Sequence, residues 1–487
     1  MERNHTLLQF FEWHVAADGD HWKRLRDAAP DLKERGIDGV WIPPVTKSVS
    51  PEDTGYSVYD LYDLGEFDQK GSVRTKYGTK EELHEAIAAC QEHGINVFVD
   101  IVMNHKAGAD EKETFKVVEV EAENRLEEIS EKPFDIEAWT KFTFPGRGDK
   151  YSSFKWDFNH FNGTDYDAKK DRTGYFRIIG ENKGWNEQVD DEFGNYDYLM
   201  FANIDYDHPD VRGEMISWGK WLADTLNCNG YRLDAIKHIS HEFIGEFIRE
   251  VKEHTNDEFY MVGEYWNEDV EACGAFLEET DYQLDLFDVT LHYRLCEASK
   301  AGNDFDLSKI FEGTLVEKYP MNSVTFVDNH DSQPGESLES WIDDWFKKSA
   351  YALILLRKDG YPCVFYGDYY GVEGEHSMDG KKELLDPLIY VRYNKAYGEQ
   401  EDYFDHPNTI GWVRHGVEEI KGSGCAVVVT NGDEGEKRMF VGKHRKGEEW
   451  VDYARSCVDR VTIDDEGYGV FPVKAGDVSV WALPDIE

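Results

Sequence analysis

The sequence predicts a (β/α)8 TIM barrel with an inserted domain after the third strand and a C-terminal antiparallel β-sandwich domain. Three observations carry this expectation. Short apolar runs alternate with amphipathic helical stretches through most of the chain. The alternation breaks between residue 106 and about residue 205, far longer than an ordinary connection. Beyond about residue 400 only strand-like runs separated by turn residues remain.

The runs, in order, are "LLQFFEW" (7–13), "GVWIPP" (39–44), "NVFVDIVMNH" (96–105), "GYRLDAIKHI" (230–239), "FYMVGEYW" (259–266), "LFDVTLHY" (286–293), "SVTFVDNHDS" (323–332) and "YPCVFYGD" (361–368). Helical patterns such as "WKRLRDAAPDLKERG", "KEELHEAIAACQEHG" and "VRGEMISWGKWLADTL" lie between them. No Gly-rich phosphate loop follows any run, which disfavours a doubly wound open sheet. The expected domains are a barrel at 1–105 and 206–398, an insert at 106–205 and a β domain at 399–487.

Composition narrows the functions available. There is no run of eighteen apolar residues, so no membrane span is expected. The opening "MERNHTLLQFFEWH" lacks a basic region followed by an apolar one, so no secretory signal is read. Seven scattered cysteines without a CxxC pair read as free thiols in a reducing cytoplasm. With 99 acidic residues against 53 basic ones the net charge is −46, which argues against nucleic acid or an anionic membrane as partner. The surplus reads either as a solvated, self-repelling surface or as adaptation to high salt.

"GYRLDAIKHI" poses the functional question. It has the apolar residues of a buried strand, yet carries Arg232, Asp234, Lys237 and His238. In such a barrel the active site forms at the C-terminal ends of the strands. The third run likewise turns ionisable or amide-bearing at Asp100, Asn104 and His105, the fifth at Glu264, and the seventh at Asp328, His330 and Asp331. Burying so many carboxylates on one rim is costly unless chemistry or a metal uses them. Glycoside hydrolysis needs two carboxyl groups flanking the scissile bond, and the aromatic richness suits sugar stacking. A metal-dependent hydrolase using His105, His238 and His330 is the rival, but the HxH or HExxH spacing of zinc sites is missing.

"DIVMNH" (100–105), "GYRLDAIKH" (230–238), "GEYW" (263–266) and "FVDNHDS" (326–332) resemble, in order, the four motifs of the α-amylase family, glycoside hydrolase family thirteen. The resemblance spans essentially the whole chain. It includes "GYSVYDLYDLGEF" (55–67) and is strongest to the bacterial liquefying branch. "GWNEQVDDEFGNYDYLM" (184–200) points to that branch's intracellular relatives.

The resemblance implies an endo-acting, retaining hydrolase of α-1,4-glucan. Asp234 would be the nucleophile and Glu264 the acid/base. Asp331 would bind and distort the sugar, and Arg232 would hold Asp234 ionised. His105, His238 and His330 would contact hydroxyls around the cleaved bond, with Tyr56 stacking on the ring and Lys237 and His238 on the leaving-group side. Trp13 and Trp266 read as packing residues.

The resemblance further implies calcium between barrel and insert, held by Asn104, Asp197 and the His238 carbonyl, with Asn203 at a position the secreted relatives fill with aspartate. Those relatives also hold a second calcium and a sodium, using carboxylates that appear here as Asn162 and Asn186; Asp205 and Asp207 remain. Each Asp→Asn change keeps an oxygen but removes a charge. One weakly held Ca2+ and no linked metal cluster are therefore expected. A monomer is expected. A maltooligosaccharide-forming amylase or a transglycosylase of the same family is the alternative reading. A non-catalytic sugar-binding barrel is disfavoured because Asp234, Glu264 and Asp331 are all present.

Overall fold

The structure is a computed structural model and describes residues 3–485. Eight parallel strands close into a barrel in sequential order. They are β1 (Leu7–Gln9), β2 (Gly39–Ile42), β3 (Asn96–Ile101), β4 (Gly230–Leu233), β5 (Tyr260–Gly263), β6 (Asp285–Phe287), β7 (Ser323–Phe326) and β8 (Tyr361–Phe365). Alternate residues of each strand face opposite sides. Leu7, Trp41, Phe98, Val262, Phe287, Val324 and Cys363 pack together inside the barrel. Leu8, Val40, Val97, Val99, Tyr231 and Leu233 join the outer core beneath the helices.

Local chemistry sets the element ends. Thr79 and Glu82 form a reciprocal capping box at the start of Lys80–Glu92. The helix His21–Arg35 stops at Gly36, whose φ of 102° suits glycine. β4 opens on Gly230 because a Cβ there would lie 2.1 Å from the Tyr260 carbonyl oxygen.

All eight strands are shorter than the runs that announce them, and two of the ends have a clear local cause. The stretch read as a strand over 286–293 is β6 only to Phe287, followed by the helix Val289–Ala301. Asp288 accepts from the Leu291 backbone N–H at 2.8 Å and caps that helix, overriding the strand-like composition of Val289 to Tyr293. Likewise β4 ends at Leu233: Ala235 adopts φ 50°, ψ 39°, and Ile236–His238 is a 3-10 turn. Lys237 and His238 thus ride on that turn rather than on the strand.

After β3 the chain builds a six-stranded antiparallel sheet, whose strands run in spatial order His105–Lys106, Ala202–Ile204, Phe161–Asp167, Arg172–Ile178, Glu111–Val120 and Phe134–Lys141. Its first strand lies directly beyond the end of β3, and His105 is in register with Asn203. The insert is therefore anchored to the rim of the barrel through the segment that ends β3.

From Gln400 onward a six-stranded antiparallel sheet packs with a two-stranded one, Gly435–Phe440 with Tyr468–Val473. Trp450, Phe471, Trp481 and Met439 fill the space between them. Side-chain amides fasten this unit to the barrel: Asn431 donates to the carbonyls of Gly302 and Phe305, both at 2.8 Å. Among the described residues no helix is long and apolar enough to cross a membrane.

Candidate active site

Arg232 is the inward-facing residue of β4 and is fully buried, in register with Asp100 of β3. Its Nη1 donates to Asp100 at 3.1 and 3.2 Å and to Asp234 Oδ1 at 2.5 Å. Nη2 lies 3.2 Å from Glu264 Oε2. The guanidinium also sits 4.8 Å from the centre of the Trp41 ring. Asp100 is held in turn by Trp41 Nε1 at 3.0 Å and the Tyr56 hydroxyl at 2.8 Å.

The left-handed turn at Ala235 aims Asp234 back over the barrel mouth. The backbone stitches this turn to β5: Glu264 N–H donates to the Leu233 carbonyl at 2.9 Å, and Ile236 N–H to the Glu264 carbonyl at 3.1 Å. Ala235 N–H donates to Glu264 Oε2 at 2.8 Å. Both carboxyl groups are thus fixed to a single turn and share one cation.

Asp331 approaches from the loop after β7. Its N–H donates to Asn329 Oδ1 at 2.9 Å, and its Oδ2 lies 3.4 Å from His330 Nε2. His330 Nδ1 pairs with the Gln9 amide at 3.0 Å. Below this loop, Lys347 is fully buried between Asp328 at 2.5 Å and Asp368 at 2.9 Å. Asp328 also accepts from Ser332 Oγ at 2.6 Å, closing the loop around His330 and Asp331.

Four carboxyl groups, those of Asp100, Asp234, Glu264 and Asp331, surround one guanidinium. Burial raises all four above the usual carboxylate range, Asp100 to about 7. For Glu264 the neighbouring Asp234 charge adds to the upward push, and for Asp331 the Glu264 charge does. Asp234 has the short hydrogen bond to Arg232, so it is the group best held ionised. Glu264 meets the cation at the longer distance of 3.2 Å, and burial pushes both Glu264 and Asp331 upward. Environments that push two carboxyls apart in this way divide them into an ionised and a protonated partner.

The remaining sequence-selected residues gather around the same mouth. His105 Nε2 donates to the Tyr56 carbonyl at 2.8 Å. His238 Nδ1 meets the Tyr196 carbonyl at 2.7 Å. Burial lowers both histidines, to about 4 and about 3, so both are neutral. Lys237 reaches across to Glu192 at 2.7 Å and donates to the Trp266 carbonyl at 2.9 Å.

Trp13, read from the sequence as a packing residue, does pack, and it does so at the barrel mouth. Its ring lies parallel to those of Tyr56, at 5.7 Å and 5°, and His330, at 5.8 Å and 15°, making a flat aromatic wall beside the carboxyls. The signal available was its place just past the end of β1, on the same rim as the other motifs. Farther along, Phe201 packs on His105 at 5.5 Å. It also lines a cavity of about 560 Å3 with Trp139, Tyr166 and Asp165. Trp139 is 46% exposed there.

A second cluster lies where the inserted sheet meets this rim. Asn104 Nδ2 donates to the His238 carbonyl at 3.2 Å. Asp197 Oδ2 accepts from Asn162 Nδ2 at 2.7 Å and Asn186 N–H at 2.9 Å. Asn203 Nδ2 donates to Asn162 Oδ1 at 2.8 Å, while Asn203 Oδ1 is buried with no hydrogen-bond partner. Burial pushes Asp197 up to about 7. A buried carboxylate among amides and an orphaned amide oxygen are what a hard, oxygen-seeking cation would complete, so the four expected ligands fit calcium. Among the described residues no three His, Cys, Asp or Glu side chains gather in a way that could hold a metal. The donors at this junction are instead mostly amide and carbonyl oxygens, which suit a hard cation.

With this geometry in place, residues 16–404 match the family model for the α-amylase catalytic domain. The chain belongs to the α-amylase family. It is 47% identical over 479 residues to a glucan 1,4-α-maltohexaosidase of Bacillus sp. (strain 707), covering 98% of this chain and 92% of that one. It is 43% identical to the cytoplasmic α-amylase of Escherichia coli (strain K12), covering 99% and 100%. In fold it matches the α-amylase of Geobacillus thermoleovorans solved with acarbose, with TM-score 0.66 and 17% identity over 100% of this chain and 99% of that one.

Proposed function

We propose that this member of the family is an α-amylase that cleaves internal α-1,4 bonds of starch, glycogen and maltodextrins with retention. The arrangement of Asp234 and Glu264 around the single buried guanidinium of Arg232 carries the reading. Sharing one guanidinium brings both carboxyls to the same mouth, where one can attack the sugar and the other can serve the leaving oxygen. The Asp234 carboxylate attacks the anomeric carbon as Glu264 gives its proton to the departing glycosidic oxygen. Glu264, now ionised, takes a proton from water, and that water displaces Asp234 from the sugar. Asp331 binds hydroxyls of the distorted ring, against the wall made by Tyr56, Trp13 and His330. His105, His238 and Lys237 line the two sides of the cleaved bond.

Substituting Glu264→Gln tests the acid assignment. Turnover of starch should fall by about 100-fold or more. Turnover of a maltosyl fluoride should suffer far less at its first step, because fluoride leaves without a proton. Equal losses on both substrates would refute the assignment.

The maltooligosaccharide-forming alternative has one observation in its favour, the open aromatic cavity carrying Trp139. If sugar rings seat there, Trp139→Ala should redistribute the lengths of the first products from soluble starch while sparing hydrolysis of short substrates. An unchanged distribution would exclude the cavity as a determinant of product length.

One calcium belongs to the same proposal, held by Asn104, Asp197, Asn203 and the His238 carbonyl. When bound it supplies positive charge that ties the insert to the turn carrying His238. We place the enzyme in the cytoplasm as a monomer. Its seven free cysteines, five of them buried, suit a reducing compartment. The working division is a catalytic barrel at 1–105 and 206–398, the insert at 106–205 and the β domain at 399–487.

A further inference from the structure

Lys183 sits in the inserted domain, and its side chain is only 7% exposed. Its ammonium donates to the Asn159 carbonyl, to the Phe161 carbonyl at 3.1 Å, and to Asp205 Oδ2. An ammonium has three N–H donors, and all three are used. Two of the acceptors are backbone carbonyls from one short stretch, and the third is a carboxylate that is itself 3% exposed.

The surroundings extend this oxygen cage. Asp205 Oδ1 accepts from Asp207 N–H at 3.1 Å, and Asp207 Oδ1 accepts from Asn186 Nδ2 at 3.0 Å. Asn186 N–H in turn donates to Asp197, the carboxylate of the proposed calcium site. One carboxylate and two carbonyls thus meet at the ammonium, and Asp207 and Asn186 extend the oxygen-rich network behind Asp205. Without Lys183, the Asn159 and Phe161 carbonyls would lose a shared donor and Asp205 its counter-charge.

We infer that the Lys183 ammonium is a built-in cation, occupying a position that would otherwise take a divalent metal. The tether changes the physics of the site. A bound ion dissociates and depends on its concentration, whereas a side chain is present in every folded molecule. The ammonium supplies one positive charge where calcium would supply two. This matches a cage in which Asn186 stands beside only two carboxylates. The cost is borne by the side chain's lost rotamer freedom, and the gain is a cross-link inside the insert, where it returns to the barrel, that needs no second metal.

The inference predicts that removing the ammonium uncovers a metal site. Lys183→Ala leaves the cage oxygens in place and empties its centre. Calcium per folded chain, measured by atomic emission after equilibrium dialysis, should be one equivalent higher in Lys183→Ala than in the wild type. Calcium should also raise the melting temperature of the variant beyond any rise in the wild type. Equal metal content in the two folded proteins would overturn the inference. If Lys183→Ala does not fold in chelator, refolding it in millimolar calcium decides the matter. Recovery of the native circular dichroism spectrum supports the inference, and failure to recover overturns it. Whether the wild type itself holds one calcium or none is read separately from its own metal content, so this test stands apart from the calcium proposal above.

Discussion

Asp234→Asn should leave the fold intact and lower kcat on starch by roughly 10^4-fold or more, because the amide cannot form the covalent intermediate. The variant keeps hydrogen-bonding capacity toward Arg232 but gives up the charge that opposes the guanidinium. Arg232 then still faces Asp100, so the site does not lose all its compensation. The measurement is steady-state kinetics beside a thermal melt of the same preparation. Turnover within tenfold of the wild type would remove Asp234 from the role of nucleophile.

Lys347→Met should have the largest effect on stability. The lysine is wholly buried, with Asp328 and Asp368 on either side, its ammonium 3.3 Å from the centre of the Trp341 ring. Methionine fills much of the space but leaves two carboxylates facing each other without a cation. Breaking a buried pair this way costs about 3–5 kcal/mol. The effect should reach the chemistry, because Asp328 closes the loop that carries Asp331. Denaturant unfolding reads the first consequence, and a loss less than about 1 kcal/mol would mean the carboxylates find protons or other partners at little cost.

How far the sequence disclosed this molecule can be read from single segments. The barrel was legible because buried parallel strands and their covering helices leave two different periodicities in the chain. The gathering of Arg232, Asp234, Glu264 and Asp331 at one rim was legible because they are residue types a core rejects, placed where strands end. The end of β6 was misread because Val289 to Tyr293 is as apolar as a strand, and the deciding feature was the cap at Asp288. The turn at Ala235 was not visible, since alanine carries no signature of a left-handed backbone. Lys183 and Lys347 could not be assigned from the sequence because their partners lie on other elements. A lysine's meaning depends on whether it faces water, a carboxylate or a ring of carbonyls, and only tertiary structure fixes that.

The central claim is double displacement at Asp234, and the anomeric form of freshly cleaved product tests it most directly. Proton NMR of maltooligosaccharide hydrolysis, followed from the first minutes before mutarotation equilibrates the sugar, should show the α-anomer appearing first. Initial release of the β-anomer would mean a single inverting displacement, and would contradict Asp234 as nucleophile and Glu264 as its acid/base partner.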